Sequence, residues 1–403
     1  MKVSELCFIE NKVNKLNSFI ENDKKYIAST YNRFPLQIVE GKGSVCKDEN
    51  GKEYIDLGTG IAVNTFGFCD EEWVNAVSKQ LNSFQHTSNL YYSSPCITLA
   101  KMLSERTGCS KVFFSNSGAE ANECAIKTAR KYAADVKGVK EPIILTLVNS
   151  FHGRTVTTLA ATGQDVFHKD FLPLTEGFAY TPANDIELLY ENVEKYSPSA
   201  IMFEIVQGEG GVVPLDKDFV NELTKIAKEK DILLIVDEVQ TGNGRTGKLY
   251  SYMNYGFIPD IVSTAKGLAG GLPIGATMLF ERVKDVLTPS SHGSTFGGNP
   301  VSCAGAVNIL SRIDDELLNG VKERHSLIVD TLNNAKGIKG ISGMGLMLGI
   351  ETVKPAADVV KECMEKGVLV LTAKTKVRLL PALNIPMDTL KKALCVIKEV
   401  CEN

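Results

Sequence analysis

The sequence predicts an α/β protein with a mostly parallel sheet in its central part and a second, α+β unit drawn from both ends of the chain. Three observations lead there. Apolar runs at 143–148 (Ile-Ile-Leu-Thr-Leu-Val) and 232–236 (Ile-Leu-Leu-Ile-Val) have the length and composition of strands buried on both faces. Helical patterns at 119–134, 185–196 and 217–230 are interleaved with those runs and with shorter ones at 111–114, 200–205 and 260–263. Alternation of the two element types marks a parallel sheet covered by helices. The third observation is that the ends read differently from the middle.

Taken in order, 36–40 and 52–57 carry short alternating strands (Leu36, Ile38, Val39; then Tyr54, Ile55, Leu57). The strand-helix alternation then runs from about 60 to about 300. After Pro300 come a long helix, a Gly-rich strand at 343–351, a strand at 367–371 and a closing helix near 387–401. The expected domains are therefore 1–60 and 301–403, together forming the small unit, and 61–300, the large one.

A chain of 403 residues is too long for one ordinary core. Hydrophobic residues at 44% and charged ones at 23% are a globular composition. A net charge of −4 provides no basic field for nucleic acid or an anionic membrane. No apolar run reaches the roughly 18 residues that span a bilayer. The start, Met1-Lys2-Val3-Ser4-Glu5, lacks the apolar stretch of a signal peptide. A cytoplasmic protein without nucleic-acid or membrane partners is expected. Ten cysteines without a Cys-x-x-Cys pair read as reduced thiols, and five histidines without metal spacing give no reason to expect a metal.

An open α/β sheet places its ligand at the carboxyl ends of its strands. Asp237 ends the run 232–236, and a carboxylate at the mouth of a buried strand must find a cation or donors. That partner can be a helix end or an ion pair; it can also be a pyridine nitrogen kept protonated as an electron sink. Lys266 stands 29 residues further on, between an apolar strand and Gly267-Leu268-Ala269-Gly270-Gly271. Desolvation there would make it a nucleophile, and one crossover between neighbouring strands would bring both residues to one ligand. Ser117 and Glu120 have capping-box spacing at the start of a helix, where Gly118 lets a phosphate approach the free N–H groups. Phe151 can stack on a flat ring, and Arg154 offers a fork for a carboxylate. Glu209 can hold or release an arginine, and the small donors from His292 to Asn299 suit a second phosphate contact. By contrast, Gly242-Asn243-Gly244-Arg245-Thr246-Gly247-Lys248 mimics two nucleotide fingerprints. Leu249 stands where a phosphate loop needs Ser or Thr, and no apolar helix follows, so a Gly-rich turn is expected.

Six ordered segments resemble the class III (ornithine/acetylornithine type) aminotransferases, which depend on pyridoxal 5'-phosphate (PLP). They are 115–123 (Ser-Asn-Ser-Gly-Ala-Glu-Ala-Asn-Glu), 151–154 (Phe-His-Gly-Arg), 207–210 (Gln-Gly-Glu-Gly), 237–242 (Asp-Glu-Val-Gln-Thr-Gly), 265–268 (Ala-Lys-Gly-Leu) and 292–299. The resemblance implies fold type I, with a seven-stranded, mainly parallel large domain and a small domain from both termini. It also implies a homodimer with shared active sites. In that reading Lys266 carries PLP covalently. Ser117, Gly118 and Ala119 cradle the phosphate, and Thr295 adds a contact from the partner subunit, with Ser294 beside it near the substrate. Phe151 and Val239 cover the two ring faces, Asp237 meets the pyridine nitrogen and Gln240 the phenolic oxygen. Glu238 belongs to the same cofactor segment. Arg154 clamps the α-carboxylate, and Glu209 with Arg378 switches between ω-amino donors and glutamate.

Segments 30–36, 88–92, 292–300 and 381–384 resemble the acetylornithine branch, whose reaction exchanges the terminal amine of N2-acetyl-L-ornithine with 2-oxoglutarate. Arg33, where ornithine-specific members usually have an aromatic, would repel a free α-amine but not an acetamide. Alternatives are another ω-aminotransferase (ornithine, succinylornithine, succinyldiaminopimelate or 4-aminobutyrate), a PLP aminomutase, or a non-catalytic protein of the same fold. Two departures, Ile205-Val206 after Glu204 and Phe66-Gly67-Phe68-Cys69-Asp70, touch none of the expected chemistry.

Overall fold

The computed structural model describes residues 18–403; the expectation drawn from Met1 to Glu5 lies outside them. The central sheet has seven strands: β1 (Lys111–Ser115), β2 (Ile144–Leu147), β3 (Phe178–Thr181), β4 (Ala200–Phe203), β5 (Leu233–Asp237), β6 (Ile261–Thr264) and β7 (Gly275–Leu279). Their spatial order is β1-β7-β6-β5-β4-β2-β3. The pairs β2–β3, β2–β4, β4–β5 and β5–β6 are parallel, and β7 is antiparallel to both its neighbours. Every residue of β2, β4, β5, β6 and β7 is buried, as expected where helices cover both faces. The covering helices start and stop on local signals. Ser117 caps Gly118–Lys137, Asp185 caps Ile186–Tyr196, and Gly138 in a left-handed conformation ends the first of these. This is the fold type I architecture.

The small unit joins the two ends of the chain. Val368–Leu369 pairs in parallel with Glu53–Asp56, and Leu57 packs in one core with Val321, Ile328, Leu390 and Ile397. A second sheet runs Ile338–Met344, Met347–Thr352, Lys376–Leu379 and Leu371–Ala373 in antiparallel pairs. Arg245 ties the units together: its buried guanidinium donates to the carbonyls of Leu346 (3.2 Å) and Pro381 (2.5 Å).

The structure adds to or departs from the sequence reading at several points. The Gly-rich strand expected at 343–351 is the turn and second arm of a hairpin, because Gly343 and Gly345 take positive φ (119° and 57°) and reverse the chain. The single long helix after Pro300 is two, Pro300–Ser311 and Asp315–Leu332, the second capped by Asp314. Strands β3 and β7 went unread: both are short, and β7 follows the glycines at 270 and 271. The link from β5 to β6 is not an α-helix but the Gly-rich turn and the 3-10 turn Ser251–Asn254, which still leaves the two strands adjacent and parallel.

Candidate active site

A cavity of about 420 Å³ opens at the carboxyl ends of β1, β4, β5 and β6, and the loop after β2 closes one side. Ser115 ends β1, and Ser117 caps the helix that follows by accepting from the Glu120 N–H at 3.2 Å. The Glu120 carboxylate turns back to accept from the Asn116 N–H at 2.6 Å, so the helix start is fixed from both sides. Gly118 and Ala119 border the cavity. A Cβ on Gly118 would stand 2.6 Å from Val239 Cγ1, so the cradle exists only without one.

Asp237 is buried at the mouth of β5 and accepts three hydrogen bonds. Asn122 Nδ2 (2.7 Å) and His152 Nδ1 (2.8 Å) donate to Oδ2, and the Val239 N–H (3.0 Å) donates to Oδ1. Ser263 Oγ in turn holds the Asn122 side chain at 2.5 Å. His152 Nε2 is buried without a partner among the described residues. Lys266 follows β6 in a left-handed conformation (φ 44°), which a non-glycine residue adopts at a cost of about 1–3 kcal/mol. Its neighbours hold it there: Thr65 Oγ1 donates to the Gly267 carbonyl at 2.7 Å, and Asn243 Nδ2 to the Ala265 carbonyl at 3.2 Å. Burial pulls the Lys266 ammonium below its ordinary pKa. Glu209 opposes that pull, Arg378 adds to it and Asp237 opposes it. The neutral, nucleophilic amine is favoured accordingly.

On the far wall, Arg378 NH1 meets Glu209 Oε1 at 2.5 Å and Gln240 Oε1 at 3.2 Å, while Gln240 Nε2 reaches Glu209 at 3.5 Å. Burial would raise the Glu209 carboxyl, but the Arg378 guanidinium outweighs it and holds the group below its usual value. Arg154 borders the cavity with its guanidinium 4.2 Å from the Phe167 ring centroid and 5.5 Å from that of Phe151.

Lys266, Asp237, Ser117, Gly118, Ala119, Phe151, Val239, Gln240, Arg154 and Glu209 thus meet at one cavity, with Arg378 directly behind Glu209. Ser294 stands at its rim, accepting from Asn116 Nδ2 at 3.1 Å. Thr295 is exposed and outside this chain's cavity. Arg33 is exposed as well, paired with Asp23 at 3.3 Å and lying 5.4 Å from the Tyr31 ring centroid. The side chain of Glu238 departs from the cofactor set: it turns away from the cavity to accept from Thr241 Oγ1 (2.6 Å), Ser251 Oγ (2.6 Å) and the Tyr252 N–H (2.9 Å). Among the cavity residues that escaped the sequence reading, three are ionisable or amide side chains deep in the site. His152 lay beside Phe151 in a quoted segment, Asn122 lay one turn into the helix, and Glu204 directly follows β4. Burial, with Asp237 adding to it, pushes the Glu204 carboxyl up to about 7 against the pull of His152 and of the N–H groups it binds.

A flat, phosphorylated aldehyde fits this arrangement. A helix start with a glycine that admits no Cβ faces the cavity, an aromatic ring borders it, and a triply bonded carboxylate and a half-buried lysine line it. Comparison with known proteins agrees. The model of the class-III aminotransferase family matches residues 26–401. The acetylornithine aminotransferase of Haemophilus ducreyi is 47% identical over 380 residues, 94% of this chain and 97% of that protein. The succinylornithine transaminase of Salmonella paratyphi A is 42% identical over 392 residues, 95% and 96% of the two. The crystal structure of ornithine aminotransferase from Toxoplasma gondii superposes with a TM-score of 0.92 at 31% identity, over 100% of this chain and 98% of that one. The chain belongs to the class III aminotransferases. It is a PLP-dependent aminotransferase closely related to the acetylornithine aminotransferases.

Proposed function

We propose that the protein transfers the terminal amino group of N2-acetyl-L-ornithine to 2-oxoglutarate, giving N-acetyl-L-glutamate 5-semialdehyde and L-glutamate. In a cell that makes arginine the net flux would run towards acetylornithine. The observation that carries this reading is the closed Glu209–Arg378 pair at 2.5 Å beside Lys266 and Asp237. One site must take an ω-amine with no carboxylate on its reacting carbon and then a keto acid that has one there as well as at its far end. A guanidinium neutralised by a movable carboxylate serves both. With Glu209 in place, Arg378 exposes no net charge to the amine; with Glu209 withdrawn, Arg378 and Arg154 take the two carboxylates of 2-oxoglutarate.

PLP, when bound, supplies an electron sink for the carbanion formed at the donor carbon. The chain supplies the rest. Lys266 Nζ would hold the cofactor and, as a free amine, would carry the proton to and from the donor carbon. Asp237, oriented by Asn122 and His152, would hold the pyridine nitrogen. Gln240 would hold the phenolic oxygen, Phe151 and Val239 would pack against the ring, and Ser117, Gly118 and Ala119 would take the phosphate. Exposed Tyr31, Phe34, Leu90, Tyr91, Tyr92 and Phe296 suit a second copy of the chain, whose Thr295 would complete the phosphate site. Arg33, on the same exposed segment, would face the donor's α-nitrogen in that dimer and favour an acetamide over an ammonium. We take the small domain to be drawn from 1–60, of which 18–60 are described, and 301–403, and the large one to be 61–300, in a cytoplasmic enzyme.

The test is donor competition. N-acetylornithine should exceed ornithine and 4-aminobutyrate in kcat/KM by roughly tenfold or more, about 1.4 kcal/mol. Succinylornithine, supported by the Salmonella relative, as the best donor would keep the reaction and change the acyl group. Preference for 4-aminobutyrate would overturn the proposal.

A further inference from the structure

Glu204 stands directly after β4, on the rigid edge of the sheet, and its carboxylate takes a backbone N–H on each oxygen. Oε1 accepts from Phe151 at 2.9 Å and Oε2 from Gly208 at 3.1 Å. Gly208 is where the chain leaves the short ladder formed by Val206–Gln207 and Val213–Pro214, so residues 208–212 are a hairpin loop with Glu209 on it. Several features show where that loop is held. A Cβ on Gly208 would stand 2.7 Å from Gln240 Oε1, so the loop's first residue lies against the tip of the Gln240 side chain as well as being bonded. Gly210 is packed too, since a Cβ there would stand 2.6 Å from the Asn149 carbonyl, whereas Gly211, at φ 108°, has no neighbour closer than 4.0 Å and accepts no other residue type without strain. The far end is held at Val212, whose carbonyl accepts from Ser342 Oγ at 2.8 Å. Glu209 therefore sits on a loop held at Gly208 and Val212, with Gly211 its open residue.

We propose that Glu204 is a positioning residue that straps the base of the Glu209 gate to the ring-facing Phe151 loop, and thereby sets the balance between ω-amine and dicarboxylate. This rests on the reading of Glu209 as a gate on Arg378. The strap keeps Gly208 still, so Glu209 swings from one fixed point and returns to Arg378 after each dicarboxylate has left. A glutamine in place of Glu204 has one acceptor where the carboxylate has two. Whichever way the amide turns, one N–H is orphaned and faces an NH2, and the strap is cut. A gate with a loose base closes less firmly. Arg378 is then freer for a dicarboxylate and less well neutralised for an amine.

The test uses the PLP-loaded wild type, Glu204→Gln, Glu209→Ala and the double variant. Each half-reaction is followed separately, and calorimetry measures binding of glutarate, an unreactive dicarboxylate. Glu204→Gln should tighten glutarate by roughly five- to tenfold and raise the KM for N-acetylornithine by a similar factor, and the glutarate effect should vanish in the Glu209→Ala background. Unchanged glutarate affinity in Glu204→Gln, or an equal shift with and without Glu209, would overturn the proposal and leave the gate intact. If Glu209→Ala itself shifts neither glutarate binding nor the amine half-reaction, the gate reading falls, and the strap with it. Should Glu204→Gln not accumulate in folded form, amide exchange in the wild type decides. Gly208 should stay protected when glutarate binds while the amides at 209–211 exchange faster; loss of protection at Gly208 as well would contradict a fixed pivot.

Discussion

At the scale of single residues, the site is a set of buried polar groups whose partners are mostly accounted for. The exceptions mark where the ligand belongs: His152 Nε2 and Arg378 Nε are buried without partners among the described residues. Lys266 carries a strained backbone that only its packed neighbours sustain. Lys266→Ala should lower turnover by roughly three orders of magnitude or more and abolish covalent retention of the cofactor, as read by the mass of the borohydride-treated protein. Asp237→Asn keeps the shape of the side chain but removes the charge facing the ring, and should cost about a hundredfold in kcat while PLP still binds. Most of these residues were legible in the sequence because each stands at a strand end beside glycine or a helix cap. Glu204 was not, since nothing in a linear reading says that its two oxygens would bridge loops 53 and 4 residues away. Glu238, one residue past the end of β5, sends its side chain to Thr241, Ser251 and Tyr252, which a linear reading of the segment does not show.

Elements set the site's shape. Strand β7 runs against its neighbours and brings Gly275 beneath the helix start, where a Cβ would lie 2.2 Å from the Ser117 carbonyl. Gly275→Ala should therefore displace the Ser117–Ala119 turn, weakening PLP affinity roughly tenfold or more and lowering Tm by several degrees. This strand was illegible in the sequence because an antiparallel partner breaks the alternation on which the parallel reading relied. A second element-level contact joins Asp70, the cap of Glu71–Leu81, to Arg312 at the end of Pro300–Ser311, with NH1 on Oδ1 at 2.5 Å and NH2 on Oδ2 at 3.0 Å. The Arg312 guanidinium holds the Asp70 carboxyl below its ordinary value. A carboxyl depressed in the folded state stabilises fully above its unfolded pKa of about 3.9 and loses that contribution as pH falls through the lower folded value. Asp70→Asn, which keeps the cap, should thus lower Tm at neutral pH and converge with the wild type once the pH falls below the depressed folded value. A constant difference across that range would show that the charge plays no part.

At the scale of the molecule, the parallel core came straight from the apolar runs, whereas the small unit did not resolve fully. Its strands are two to seven residues long and pair across more than 300 positions, as Ile55 does with Val368, and local pattern carries no record of such pairing. The exposed aromatics at 31, 34, 91, 92 and 296 and the outward-facing Thr295 carry the expectation of a shared site. Mixing inactive Lys266→Ala with an impaired Thr295→Ala should restore activity, because one site per heterodimer then holds both native residues; no recovery after subunit exchange would argue for self-contained sites. The central claim, that this site performs an amino-group exchange on an acetylated ω-amine, has a more direct test. The PLP-loaded protein is mixed with N-acetylornithine alone and its visible absorption followed, then 2-oxoglutarate is added. The cofactor band should bleach stoichiometrically with the first substrate and return with the second, and at far lower concentrations than ornithine or 4-aminobutyrate require. A band that bleaches only with another amine would contradict the assigned donor, and a protein that shows no such band with PLP present would contradict the site itself.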